Sequence, residues 1–213
     1  MRRAGWAAGA AAAVLLAAAA VTSAVAGDSG GAEDEGVVRV PAAGSADAGF
    51  ARDMAVHHQQ AVEMSYLVRD RTRNEEVRRL AYDIAQTQAN QRGMLLGWLD
   101  LWGLPKVSSD PPMTWMGMRA DPGPGPDGGA LMPGMATDAE MDRLAALEGK
   151  AAEVFYLQLM TDHHRGGVHM AEGCAARCTV EAEKRLAQGM VDGQQAEIGL
   201  MARLLAERGA EPR

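Results

Sequence analysis

Four of the five histidines in this chain fall in two copies of one pattern, Met-x-x-His-His-x-x-x-Val-x-Met. The first copy carries Met54, His57, His58, Val62 and Met64, and the second carries Met160, His163, His164, Val168 and Met170. Imidazole nitrogen suits copper well, and thioether sulfur is a soft donor that favours Cu(I). On a helix, positions i, i+3, i+7 and i+10 share a face. Met54, His57, Ala61 and Met64 take those positions, as do Met160, His163, Gly167 and Met170. The second histidine of each pair lies about 100° further round, at the edge of the same face. One such motif reads equally as a helix with methionine in its core and two histidines at its edge. Two copies in register favour a metal site drawn from Met54, His57, His58, Met64, Met160, His163, His164 and Met170. His169, beside Met170, is a further candidate ligand in the second half only.

The copies are offset by 106 residues, and the offset persists without a gap from His57 to Leu99. Arg71 meets Arg177, Glu75 meets Glu181, Gln88 meets Gln194 and Leu99 meets Leu205. An ungapped repeat of this length means two copies of one supersecondary unit. In each unit the first helix carries the histidines and the second closes a hairpin.

Helix one is predicted from Ser45 or Asp47, both good N-caps, to about Arg69. Helix two runs from about Asn74 to Trp102 on the stripe Val77, Leu80, Ala81, Ile84, Leu95, Trp98 and Leu99, and Gly103 with Pro105 stops it. Helix three is capped by Thr137 or Asp138 and runs as one element to about Ala175. Helix four runs from about Val180 to Glu207, and Arg208-Gly209 ends it. Between the hairpins, residues 103–136 are dense in Pro and Gly and hold Met113, Met116, Met118, Met132 and Met135. Such a crossover is either an ordinary connection with methionine as adaptable packing or a second soft-metal segment. The expected fold is all-α: a ferritin-like four-helix bundle of two repeated hairpins over residues 46–208, with repeat one at 46–102 and repeat two at 137–208. The two His motifs can then face each other across its core.

Gln88 and Gln194 interrupt the apolar stripes of helices two and four, and Gln91 and Glu197 follow on the same faces. A buried polar group needs a partner. Ligating imidazoles commonly donate their second N–H to such groups, so Gln88, Gln194 and Glu197 are candidates to orient the histidines. Interhelical hydrogen bonds that fix register explain them equally. Cys174 and Cys178 stand four apart, close to disulfide geometry on a helix. A local disulfide is the main expectation and ligation of a metal by two thiolates the second. Repeat one has Val68 and Thr72 at these positions, so the cysteines lie outside whatever chemistry the halves share.

The chain opens with Met1-Arg2-Arg3, an apolar run from Ala7 to Val21 and the cleavage signal Ala24-Val25-Ala26. This predicts a signal peptide over residues 1–26 and an exported protein, periplasmic, cell-surface or secreted, with no stable membrane span after cleavage. Residues 27–45 read as a disordered leader. Cleavage takes the formal charge from −7 to −9, which argues against nucleic acid as a partner and is compatible with a metal cation. Self-association into a homo-oligomer stays open.

On Met54-x-x-His57-His58, Met160-x-x-His163-His164 and Gln194-x-x-Glu197-Ile198-x-x-Met201, the chain resembles the domain of unknown function 305 family over about residues 48–207. The resemblance implies a ferritin-like bundle, export, and in some members an association with copper binding and tolerance. This chain departs from the family pattern at Gln91, where an acid is usual, and at Leu95, where Met is usual. Three functions compete: a copper buffer or chaperone without turnover, a di-metal carboxylate enzyme, and a structural bundle whose histidines sense pH. The enzyme needs Glu-x-x-His pairs, and no histidine here has Glu three residues before it. Copper as Cu(I) is the favoured cofactor. Its binding is expected to weaken as pH falls through about 6.5, where a free imidazole protonates.

Overall fold

Three of the four predicted helix starts carry a side-chain cap of their own, and the fourth, at Val180, does not. The structure, a computed structural model, describes residues 40–118 and 130–213. Helix α1 (Ala46–Arg71) opens on Ser45, whose side chain accepts from Ala48 N at 3.2 Å. Helix α2 (Glu75–Leu101) opens on Asn74, whose Oδ1 accepts from Val77 N at 3.1 Å. Helix α3 (Asp138–Ala146) has a capping box between Thr137 and Glu140. Helices α4 (Gly149–Arg177) and α5 (Glu181–Glu207) complete the set, with a 3₁₀ turn at Thr114–Met116 in the crossover. No strand occurs among the described residues. Gly103 and Gly209 leave α2 and α5 in the left-handed conformation expected of helix stops.

One element differs from its expectation. Helix three is two helices, because Leu147 and Glu148 are extended and Gly149 opens α4 at φ 54°. The repeat explains the break: the first residue of α1, Ala46, is equivalent to Ala152 near the start of α4, so residues 138–146 have no counterpart in repeat one. The leader boundary also shifts. The expected signal peptide and residues 27–39 lie outside the described residues, but residues 40–45 are placed. Pro41 is buried, and Arg52 donates to Ala43 O at 2.8 Å and to Pro105 O at 2.7 Å.

The four long helices form two hairpins, α1 with α2 and α4 with α5, joined by the long crossover, and α1 packs on α4 through the centre. Small buried residues lie on both helices, Ala48, Ala51, Ala55 and Ala61 on α1 and Ala171 on α4, while the buried Gly166 and Gly167 of α4 face the crossover and α5. The core forms two apolar clusters. One holds Phe50, Met54, Leu95, Leu99, Met170, Cys174, Ala187 and Met190. The other holds Met64, Val77, Ile84, Tyr156, Leu159, Met160, Met201 and Leu205. The early half of α1 therefore meets the late half of α4, and the pair is antiparallel. Each fully buried Leu, Met or Phe side chain stabilises this arrangement by about 1.5–3 kcal/mol.

The crossover lies against the bundle at two places. At the first, Asp53 Oδ2 accepts from Met113 N at 2.7 Å and from Trp115 Nε1 at 2.9 Å. Trp115 sits over Gly49, where a Cβ would stand 2.5 Å from its Cγ. At the second, the Gln60 side-chain amide pairs with Ala136, donating to its O at 2.8 Å and accepting from its N at 2.7 Å. There Pro133 and Gly134 cross directly over α4, and Gly134 at φ 78° rests on Asp162 O and Gly166.

Candidate metal centre

Between the two apolar clusters lies a polar layer. On α1, His57 and His58 fall between Ala55 of one cluster and Ala61 of the other. On α4, His163 and His164 fall between Met170 and Met160. Gln88 on α2 and Gln194 on α5 fall at the same level, between Ile84 and Leu95 and between Val191 and Met201. All six are buried. The layer exists because the histidine pairs sit at the middle of the repeat and the repeats pack antiparallel.

The two repeats meet at His57 and His163, whose ring centroids are 3.8 Å apart at a 34° tilt. His163 Nε2 lies 3.0 Å from His57 O, and His57 Nε2 lies 3.2 Å from Pro133 O. A carbonyl oxygen can only accept, so both Nε2 atoms carry the proton and donate. In a neutral ring Nδ1 is then a bare lone pair. Nδ1 of His57 and Nδ1 of His163 have no hydrogen-bond partner, although both are buried. His164 Nε2 pairs with Glu197 Oε2 at 2.7 Å, and its Nδ1 is also unpartnered. At the matching place in repeat one, Gln91 approaches His58 without completing a hydrogen bond, and both ring nitrogens of His58 are free. Both side-chain atoms of Gln88 and of Gln194 are likewise unpartnered. A buried polar atom without a partner costs on the order of 1–3 kcal/mol, so these atoms mark the layer as the least satisfied part of the described core.

Burial keeps His57, His58 and His163 neutral. Loss of hydration lowers His57 to about 4, with the Pro133 carbonyl acting against the shift. It lowers His58 to about 3, helped by the charge His57 would carry. His163 is also held well below the usual imidazole range, first by burial and then by the neighbouring His57. This revises the expected pH response: protons compete for His57 near 4, not near 6.5.

The thioethers sort into two caps. Met54 and Met170 belong to the cluster on one side of the layer and Met64 and Met160 to the cluster on the other, and all four are fully buried. His169 is exposed, away from the layer. The Gln194 amide reaches over α4 at Gly167, where a Cβ would stand 2.3 Å from its Oε1. Pro133 and Gln60 take part in a way that spacing did not reveal, because backbone carbonyls carry no sequence signal. Cys174 and Cys178 form a disulfide. Among the described residues, the one group of three His, Cys, Asp or Glu side chains with ligand atoms all within 4.8 Å is Cys174, Cys178 and Glu183. The layer therefore offers imidazoles in twos, flanked by thioethers. That donor set fits a soft cation of low coordination number such as Cu(I).

Comparison with known proteins agrees with this architecture. A DUF305 protein from Streptomyces coelicolor, described as a predicted secreted protein, is 74% identical in sequence, with 81% of this chain and 99% of that one covered at a TM-score of 0.74. A DUF305 fragment from Deinococcus radiodurans is 29% identical, with 76% and 96% covered and a TM-score of 0.62. CopM in its Cu(I)-bound form shares the fold at 20% identity, with 76% and 96% covered and a TM-score of 0.56. CopM is also known in Ag-bound and Cu(II)-bound forms. No curated protein matches the chain. The family model described as "Domain of unknown function (DUF305)" matches residues 47–205, and the chain belongs to that family.

Proposed function

We propose that this protein is an exported copper-binding protein that holds Cu(I) in the buried layer, buffering or sequestering it without turnover. The observation that carries this reading is the pair of bare, unpartnered Nδ1 atoms on His57 and His163, in rings that burial keeps neutral. In this reading Nδ1 of His57 and of His163 are the central ligands, His58 and His164 stand beside them, and Met54, Met64, Met160 and Met170 supply thioether sulfur. Pro133 O and Glu197 hold their imidazoles by the opposite nitrogen. Gln88 and Gln194 orient the layer, and His169 takes no part. Buried neutral nitrogen and sulfur favour a monovalent ion, because a higher charge without carboxylate ligands is poorly compensated in an apolar core. Cu(I)-, Cu(II)- and Ag-bound forms of CopM, a protein of the same fold, support copper or a similar soft metal as the cargo.

Export rests on the sequence of residues 1–26 and on the description of the Streptomyces coelicolor relative. No helix of the described residues is long and apolar enough to cross a membrane. Metal analysis of protein purified from the exported fraction tests the reading. Copper at stoichiometric level, reproduced by Cu(I) titration of the metal-free chain, is expected. Iron or manganese at that level would overturn it.

A further inference from the structure

Outside the histidine layer, one cluster of chemistry-bearing side chains is left without a role. The Cys174–Cys178 disulfide packs against Glu183, and one carboxylate oxygen lies within 4.8 Å of both sulfurs. Glu183 is completely buried; the side chain that faces its carboxyl is another acid, Asp47, and no N–H or hydroxyl donor pairs with either oxygen. Its neighbour Asp47 is already committed: Asp47 Oδ1 accepts from Thr179 N at 2.7 Å and Val180 N at 2.8 Å, which caps α5 from α1. Burial, with Asp47 adding to it, pushes Glu183 up to about 9 and keeps it neutral in the disulfide form.

The internal repeat supplies a control for what this corner of the bundle requires. Subtracting the offset, Cys174, Cys178 and Glu183 correspond to Val68, Thr72 and Val77. Val68 and Val77 are both fully buried in the apolar core of their half. Packing and helix formation at this position are thus satisfied by valine. A buried carboxyl that faces only another acid is costly as the anion unless a cation pairs with it. The acid and the two sulfurs occur together in the same half and converge on one point. Two thiolates and a carboxylate make a donor set for a tetrahedral thiophilic divalent ion, with Zn–S near 2.3 Å and Zn–O near 2.0 Å.

We propose that Cys174, Cys178 and Glu183 form a second, redox-controlled metal site that takes a thiophilic divalent cation of the Zn(II) class once the disulfide is reduced. A dithiol reductant supplies the two electrons: it leaves as its own disulfide and the chain gains two thiols. The cation then displaces three protons, one from each thiol and one from the Glu183 carboxyl. Exchange with a disulfide oxidant reverses this: the oxidant takes the two electrons and two protons and leaves as a dithiol, the Cys174–Cys178 disulfide re-forms, and the ion, stripped of two of its three ligands, is released. Cys178 stands at the start of the α4–α5 turn, one residue before the exposed Thr179. It is separate from the histidine layer and stands whether or not that layer binds copper.

The test uses Co(II) as the probe, on the intact chain before and after reduction with a water-soluble phosphine, which becomes its oxide and adds no thiol. Reduced protein should develop sulfur-to-cobalt charge transfer in the near ultraviolet, saturating at one equivalent and abolished by Zn(II). Cobalt held by imidazoles alone gives no such band, so this readout is independent of the copper reading. Oxidised protein should give none. Glu183→Val, which restores the residue of repeat one, and Glu183→Gln, which keeps its size, should each weaken binding tenfold or more with helix content unchanged by circular dichroism. Absence of the band in reduced protein, or equal midpoints in wild type and both variants, would overturn the proposal.

Discussion

Gly166→Ala should unfold this protein more easily, although alanine is the better helix former. A Cβ on Gly166 would stand 1.9 Å from Pro133 O and 2.6 Å from Pro133 C. Those atoms are backbone and cannot swing aside, so the crossover must retreat by about 1.5 Å to reach ordinary contact at 3.4 Å. Overpacking of this kind costs about 1–3 kcal/mol. The retreat also strains the His57–Pro133 hydrogen bond and the paired Gln60–Ala136 bonds, each worth about 1 kcal/mol. Against this stands a gain of about 1 kcal/mol in helix propensity. The net loss is roughly 2–5 kcal/mol, a fall in Tm of about 5–15 °C for a domain of this size. Gly193 on α5 is the control, because nothing lies within 4 Å of its Cβ position. Gly193→Ala should raise Tm by about 2–3 °C. Thermal unfolding of both variants by circular dichroism decides the matter. Gly166→Ala as stable as Gly193→Ala would mean that the crossover does not lie on α4 at Pro133.

Acid should destabilise the metal-free protein between pH 6.5 and 4. An unfolded imidazole titrates near 6.5 and folded His57 near 4, so the unfolded chain binds more protons throughout that window. Stability is full above it and declines as pH falls, by about 2 kcal/mol at pH 5 for His57 and a similar amount for His58. Urea midpoints at pH 7.5 and pH 5 measure this, and a flat profile contradicts it. Glu153→Ala should cost about 3–5 kcal/mol, because it strips Arg208 Nε, at 2.7 Å, and Thr72 of their partner in a buried cluster. A loss under 1 kcal/mol by denaturant titration would show the pair to be dispensable. Glu197→Gln removes the carboxylate that orients His164, and Cu(I) affinity should fall about 10–100-fold in a chelator competition. Unchanged affinity would remove Glu197 from the site.

Much of the site could be read from spacing, because the repeat carries its own geometry. Met54, His57 and Met64 mark the buried face of α1, and the same positions mark α4. Gln88 and Gln194, read as breaks in apolar stripes, sit at the level of the histidines. The repeat allowed the two histidine motifs to face each other across the core, and His57 and His163 do so. What escaped depends on backbone and on burial. Pro133 contributes a carbonyl from a stretch without periodicity, and Gly166 matters only because that carbonyl passes over it. The break at Leu147–Glu148 is marked in sequence only by Gly149, a single glycine among good helix formers, which helices often tolerate. The low His57 value follows from complete burial, which residue type does not encode. Glu183 looks like an ordinary first-turn acid of α5 until its position beside the sulfurs is seen.

The central claim is that both repeats feed one buried copper site. Competition against a Cu(I) chelator at pH 7.5 for wild type, His57→Ala, His163→Ala and the double variant tests it directly. The rings sit 3.8 Å apart, so they should act as a unit. Each single variant should weaken binding by a similar factor, and the double variant should lose little more than either, since contacting residues are strongly non-additive. Two additive losses, each removing half the bound copper, would contradict a shared site, and unchanged affinity in the double variant would mean that the histidines do not bind copper.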